Sequence, residues 1–434
     1  MPPELAPDQV TDPAPDRPGA GDPSDGPAPP DLTDGVVRLR ALRPADVGTG
    51  APGEHSIVGQ CTDPESLRWT TVPEGYTPAM GTEWVAEAAA GWAARRSYVL
   101  AVVDAQTDDF LGSVDLRPDV PATCEVGFGL GPWARGRGVI PRALVLLLGW
   151  AFAPAPTGLG LDLVRWRANT GNWPSRRAAW KVGFRGFTTV RGLLDHRGVA
   201  VDGWVATVRA GEVGVPDGRW LTVPTLSFSA RDGSAFQLRP WREDDEELEA
   251  VVRACSDAVT QRWLSHLSTP YTADDALAFL QSRPEGPATG SSLSWAVAPA
   301  DGGAAVASIS VFRLTEPYGN PELGWWADPV VRGRGVVAAA VRRVAGWLFE
   351  DAPEGVRTHR LVVEADAGND ASARVALAAG FTEFGRGHAE DPDPAGGWSD
   401  CRYFERLRSG IEAGAVIAGG SGVAGRPTRE ASGG

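Results

Sequence analysis

The sequence predicts an α/β fold, a mixed and mostly antiparallel sheet flanked by helices, and predicts it twice in one chain. Three observations carry this. The chain repeats itself: Glu125 and Glu322, Arg135 and Arg332, Asn172 and Asn369, Ser175 and Ser372, and Gly183 and Gly380 all stand 197 residues apart (322 less 125). Self-similarity at one spacing over long segments marks a duplicated structural unit. Each copy also orders its patterns alike, with short strand-like stretches and longer stretches of helical period. Finally, each copy places "RGRGV" between a strand pattern and a helix pattern, at residues 135–139 and 332–336.

A length of 434 residues admits two to four domains at about 100–200 residues each, and the repeat selects two. Residues 1–34 are rich in Pro, Asp, Gly and Ala and read as a disordered acidic tail, as does the Gly/Ala-rich 409–434. Between them the expected units are 35–210 and 230–408, joined by a linker over 211–229. The units open with "VVRLRALRPADV" and "FQLRPWREDDEELEAVV": a short strand, an Arg-Pro turn, then a helix start marked by Asp or Glu. "RWTTVPEGYT" and "RWLSHLSTPYT" follow. Next come "SYVLAVVDAQTDDFLGSVDL" and "LSWAVAPADGGAAVASISVF", each two strand patterns around an Asp/Gly turn, hence a hairpin. A glutamate-led strand comes next ("CEVGFGL", "PELGWWAD"), then the glycine loop and a helix ("PRALVLLLGWAF", "VAAAVRRVAGWLF"). "LDLVRWRAN" and "HRLVVEADAGN" predict one more strand. A helix opening at Ser175 or Ser372 and a last strand complete each unit.

Composition narrows the function classes. Hydrophobic content of 43% with 22% charged residues describes a globular chain. The net charge is −14, and the first 34 residues supply much of it with eight acids against Arg17 alone. An acidic chain argues against nucleic acid as partner and suits a cationic substrate. Cys61, Cys124, Cys255 and Cys401 form no C-x-x-C pair and the histidines do not cluster near them, so no disulfide framework or metal site is expected. The longest apolar run stops at proline well short of the roughly 20 residues that span a bilayer. With no signal-peptide pattern at the start, the expected location is the cytoplasm.

Glycines before a helix let backbone approach an anion closely, and the first helical N–H groups lack intrahelical partners. Residues Arg135, Gly136, Arg137, Gly138 and Val139, with Arg332, Gly333, Arg334, Gly335 and Val336, therefore read as two diphosphate cradles, the arginines adding charge-assisted contacts. No Gly-Lys-Ser/Thr follows, so neither is a P-loop. Gly333, Gly335 and Ala338 fit a dinucleotide fingerprint and keep an oxidoreductase as a rival, although Pro141 breaks the pattern in the first copy.

Together these residues resemble the GNAT superfamily of acetyl-CoA-dependent N-acetyltransferases, and most closely the branch acetylating ribosomal-protein amino termini. The resemblance rests on the RGRG loops, the openings "LRALRP" and "LRPW", and the ends "NTGNWPSRRAAWKVGF" and "NDASARVALAAGF". It departs where Ile140 and Val337 replace Gly or Ala. It implies two tandem GNAT-like domains binding acetyl-CoA, with Glu322 and Glu125 as general bases and Asn369 and Asn172 against the pantetheine arm. Ser372 and Ser175 would face the coenzyme sulfur, since the tyrosine many members use as acid is replaced by Ala179 and Ala376. The implied acceptor is a primary amine, a small cationic molecule or a protein amino terminus. Trp69, Tyr76, Trp263 and Tyr271 fall where the branch builds its substrate lip, and core packing explains them equally. A non-catalytic acyl-CoA sensor is the remaining rival.

Overall fold

The computed structural model describes residues 28–408 apart from 265, 316–319, 352–354 and 393–395. Residues 1–27 and 409–434, most of the two segments read as tails, lie outside the described residues. The chain divides into two compact units between Asp217 and Gly218.

The first unit runs β1 (Leu32–Thr33), β2 (Val37–Arg40), α1 (Ile57–Cys61), α2 (Pro64–Trp69), α3 (Pro78–Ala93), β3 (Tyr98–Asp104), β4 (Phe110–Pro118) and β5 (Thr123–Leu130). It continues with α4 (Val139–Phe152), β6 (Leu163–Asn169), α5 (Trp173–Val182), β7 (Arg185–His196) and β8 (Val199–Val208). The second unit repeats the order as β9 (Leu226–Ser229), β10 (Ala235–Arg239), α6 (Asp245–Cys255), α7 (Ala258–Trp263), α8 (Ala273–Ser282), α9 (Glu285–Thr289), β11 (Leu293–Pro299) and β12 (Ala307–Phe312). It ends with β13 (Glu322–Ala327), α10 (Val336–Phe349), β14 (Arg360–Asp366), α11 (Asp370–Ala378), β15 (Thr382–Pro392) and β16 (Trp398–Leu407).

Each unit holds one eight-stranded sheet, ordered β1-β2-β3-β4-β5-β6-β8-β7 and β15-β16-β14-β13-β12-β11-β10-β9. All neighbours run antiparallel except β5–β6 and β13–β14, which are parallel because a helix joins them. The sequence reading differs in three places. Two strands follow the last helix, not one, and the second inserts between β6 and β7. Strand β1 falls inside the segment read as tail, and β9 inside the one read as linker; both are short edge strands with little apolar signal. In the first unit the Arg-Pro turn leads to a single 3₁₀ turn, Pro44–Asp46, where the second unit forms the longer α6.

Alternation along β5 places Cys124 and Val126 in the core, under the buried Ala143, Leu144, Leu147 and Leu148 of α4, and turns Glu125 and Gly127 to the other face. Leu323 and Val341, Val344 and Leu348 of α10 repeat this. Helix starts are set by side-chain caps that accept the orphan N–H three residues on: Ser56, Asp63 and Thr77, then Asp244, Asp257 and Thr272.

The arginine of each opening "LR" is buried. Arg40 donates to both carboxylate oxygens of Asp46 at 2.9 and 2.8 Å, and Arg239 to those of Glu247 at 3.0 and 2.8 Å. Each pair ties the first core strand to the start of the following turn or helix. Breaking such a pair strands a buried charge, whereas replacing both partners with apolar groups need not. Arg239→Met should therefore destabilise the protein by about 3–5 kcal/mol in urea unfolding. Arg239→Met combined with Glu247→Leu should recover most of that loss.

Candidate active site

The parallel strand pairs do not persist. β5 and β6 are in register from Thr123↔Leu163 to Val126↔Trp166 and then part; β13 and β14 meet only at Glu322↔Val362. Glu125 and Glu322 sit where the strands separate, on the face away from α4 and α10. Past this point each strand has a free edge facing the other across an opening. β5 and β13 then run through a 3₁₀ turn, Pro132–Ala134 or Pro329–Val331, into the glycine loop.

Both loops take one shape. Gly136 and Gly138 have φ of +74° and +73°, Gly333 and Gly335 of +72° and +78°, a region where a side chain is strained. Gly138 and Gly335 are the N-cap residues of α4 and α10, and neither helix has a side-chain cap. The N–H groups of the first turn, starting at Val139 and Val336, are left to an outside acceptor. A left-handed residue followed by a helical one forms the concavity in which backbone N–H groups hold anions. A Cβ at Gly136, Gly138 or Gly333 would meet nothing within 4 Å. The geometry fits a diphosphate.

The first arginine of each loop does not serve as expected. Arg135 donates to Asp63, to Ser66 Oγ at 3.2 Å and to the Leu130 carbonyl at 3.2 Å. Arg332 donates to Asp257 at 2.6 Å, Thr260 Oγ1 at 2.9 Å and the Ala327 carbonyl at 2.9 Å. Their guanidinium groups are committed to a latch between the glycine loop, the end of the parted strand and the capping aspartate of α2 or α7. Arg137 forms no hydrogen bond among the described residues, and Arg334 pairs with the exposed Asp232 at 3.0 Å. Those two remain for a ligand.

Asn172 and Asn369 are the N-caps of α5 and α11: Oδ1 accepts from Ser175 N at 3.2 Å and from Ser372 N at 3.0 Å. The serines therefore stand at the third helical position and do not open the helix, correcting the sequence reading. Their hydroxyls differ. Ser175 Oγ accepts a hydrogen bond from the buried Trp166 Nε1 at 3.2 Å, whereas Ser372 Oγ has no hydrogen-bond partner among the described residues, Val363 standing at the position of Trp166. Ala179 and Ala376 are fully buried in the cores.

The glutamates differ as well. Glu125 is bracketed by Arg117 at 2.9 Å and Arg167, and Arg117 also reaches the half-buried Asp115 at 3.2 Å. Burial pushes the Asp115 carboxyl pKa up; Arg117 opposes this and Glu125 adds to it. Glu322 meets Arg313 at 3.3 Å, and Arg313 is shared with Glu364 at 3.7 Å. Glu364 occupies the place of Arg167. Trp69 and Trp263 belong to neither core: a Cβ on Gly171 or Gly368 would lie 3.3 or 3.4 Å from their rings, and Arg68 and Arg262 each stack on them at 4.7 Å. They wall the opening beside the β6–α5 and β14–α11 turns. Tyr76 and Tyr271 instead pack in the small clusters with Cys61 and Cys255. The latch aspartates, Arg117, Arg167 and Arg313 escaped the sequence reading, because isolated charges in an arginine-rich chain carry no spacing signal.

The GNAT acetyltransferase domain model matches residues 37–185 and again 236–382, one match in each unit. The chain belongs to the GNAT acetyltransferase family. The dinucleotide oxidoreductase reading is thereby overturned, in keeping with sheets that are antiparallel on both sides of the single parallel pair. No curated protein matches the chain. Among solved structures, Mycobacterium smegmatis RimJ in complex with CoA-disulfide is similar at 18% identity over 43% of this chain and 88% of that one, with a TM-score of 0.38. A GNAT-family acetyltransferase from Bacillus anthracis is similar at 15% identity over 42% and 99%, TM-score 0.35. A ribosomal-protein-S5-alanine acetyltransferase from Vibrio fischeri is similar at 16% over 41% and 96%, TM-score 0.35. Among the described residues no helix of this GNAT protein is long and apolar enough to cross a membrane.

The latch gives a prediction that needs no ligand. Burial raises the Asp257 pKa, but the bonds from Arg332 and the Thr260 N–H outweigh it and leave the pKa below the ordinary carboxylate value. A lowered folded pKa stabilises above the unfolded value of about 3.9 and is lost as pH falls through the folded one. Amide exchange over 329–338 should accelerate in Arg332→Ala and in Asp257→Ala alike. In the unmodified protein, intrinsic exchange being corrected for, loop protection should be flat from pH 5 to 8 and fall only below about 4.

Proposed function

We propose that this protein transfers the acetyl group of acetyl-CoA to a primary amine at the second unit, with Glu322 as general base. The observation carrying the reading is the position of Glu322: at the single point where β13 and β14 still pair, facing an opening whose far end is the uncapped glycine loop. Acetyl-CoA fits with its pyrophosphate on the N–H groups from Gly333 to Val336 and its pantetheine arm along the free strand edges. Amide hydrogen bonds from that arm would replace the pairing the strands give up, leaving the thioester beside Glu322.

Transfer needs a neutral amine, a stabilised oxyanion and a protonated leaving thiolate. Glu322 takes the ammonium proton, directly or through water, so that the nitrogen lone pair attacks the thioester carbonyl. Backbone N–H groups on the parted strands are the donors within reach of the oxyanion. Ser372 gives its hydroxyl proton to the sulfur as the carbon–sulfur bond breaks, and the second proton, shed by the attacking nitrogen as it becomes an amide, restores the hydroxyl. Asn369 acts here as a positioning residue, fixing the turn that presents Ser372.

The first unit supports a different reading. Its glutamate is held between two arginines, which occupy both carboxylate oxygens, and its serine is engaged by Trp166. Its glycine loop is intact. A unit that binds the coenzyme without catalysing transfer accounts for all three.

Glu322→Gln should keep acetyl-CoA affinity and lower turnover about 10²–10⁴-fold, while Glu125→Gln should leave most of it, both read by free-thiol release. Activity of the unmodified protein should rise with pH as base and amine lose protons. Full turnover in both variants would leave the coenzyme-binding sensor as the better account. Separately, Gly335→Leu should abolish calorimetric acetyl-CoA binding at the second unit, because the side chain strains a φ of +78° and fills the approach to the pyrophosphate.

A further inference from the structure

We propose that the second unit carries an acid-recognising pocket for the acceptor, a cavity beside Glu322 that takes the carboxylate or phosphate of a small amine. The inference rests on the acetyl-transfer reading and names the class of its substrate.

The cavity measures about 210 Å³ and lies between the end of α8, α9 and strands β11 and β12. Ser282, Arg283, Ser292, Ser294, Ser310 and Phe312 line it. Phe312 pairs in register with Glu322, and Ser310 with Gly324 two residues further along β13. The cavity therefore opens on the face that carries Glu322. Ser310 and Glu322 are diagonal cross-strand neighbours, roughly 7–8 Å apart. An amine at Glu322 and an acid group in the cavity would be a few bonds apart in one small molecule.

Arg283 supplies the charge. Its guanidinium lies 4.1 Å from the centre of the Phe279 ring, with Nε on the Phe279 carbonyl at 2.9 Å and one terminal nitrogen on Ser282 Oγ at 2.9 Å. It forms no ion pair among the described residues. Burial pulls its pKa below the ordinary arginine value, with Tyr271 opposing, and Glu285 also lines the cavity. A partly buried cation without an ion pair among the described residues favours an incoming anion, and Ser294, whose Oγ accepts from Ser310 and Trp241, keeps its own proton to donate to that anion. In the first unit Val99 and Asp115 pair as Ser294 and Ser310 do here, and Arg117 stands opposite Glu125 as Phe312 does opposite Glu322. There the chain sets its own carboxylate, Asp115, paired with Arg117, where the second unit leaves hydroxyls and space.

Two measurements test this on the full chain. Calorimetric titration with inorganic phosphate, and separately with 6-aminohexanoate, should show binding to the unmodified protein, loss in Arg283→Gln and partial retention in Arg283→Lys, which also controls for folding. Free-thiol release with 6-aminohexanoate, 3-aminopropylphosphonate and hexylamine should show kcat/KM at least about tenfold higher for an acid-bearing amine, a preference that Arg283→Gln removes through KM. The two acids distinguish a carboxylate from a phosphate-like group. Equal binding by unmodified protein and Arg283→Gln, or no binding of either anion, overturns the pocket. Equal use of all three amines overturns it while leaving acetyl transfer standing. Arg283-dependent anion binding without transfer to any amine keeps the pocket and removes the transfer reading.

Discussion

Everything in each unit is organised around two parallel strands that stop pairing. A sheet normally satisfies its backbone by continuing the ladder, and strand edges left open are a liability that a fold must manage. Here β13 and β14 share one registered pair and β5 and β6 four. The separation is held from outside by the latch arginines, which grip the last carbonyl of the parted strand and a capping aspartate on a neighbouring helix at once. The same grip sets the direction in which the chain enters the glycine loop. Opening, loop and helix mouth are one mechanical unit, and the arginine nearest the expected phosphate is its fastener.

Much of this was legible in the sequence. The repeat announced two units, and the strand–RGRG–helix order placed the loop and both glutamates. What the sequence misjudged were roles that depend on who stands opposite. Arg135 and Arg332 look like phosphate ligands until Asp63 and Asp257 are seen across from them. Asn172 and Ser175 carry capping chemistry interchangeably on paper, and only the backbone shows which is the cap. Trp69 and Trp263 have the composition of core residues, yet each lies over a glycine at the rim. The extra hairpin strand was missed because β7 is largely exposed and β8 alternates into the core only over its second half, at Trp204, Ala206 and Val208.

Duplication usually frees one copy to change, and the charges around the two glutamates record how far that has gone. At matching places the first unit carries Arg117 and Arg167, the second Phe312 and Glu364. Two guanidinium groups, those of Arg117 and Arg167, face Glu125 and occupy both of its carboxylate oxygens. Glu322 and Glu364 both lie within reach of Arg313, at 3.3 and 3.7 Å, so the second unit sets two carboxylates where the first sets one. The serines change in concert: Trp166 occupies the hydroxyl of Ser175, and with Val363 in its place that of Ser372 has no partner among the described residues. Neither substitution touches the glycine loop, because the loop's shape is a backbone property that both units keep. On the proposed reading, coenzyme binding and proton transfer are separable, the first resting on glycine torsions and the second on side chains facing the opening. On that reading, divergence in the second alone separates two units of one strand order, the second unit suited to transfer and the first to binding.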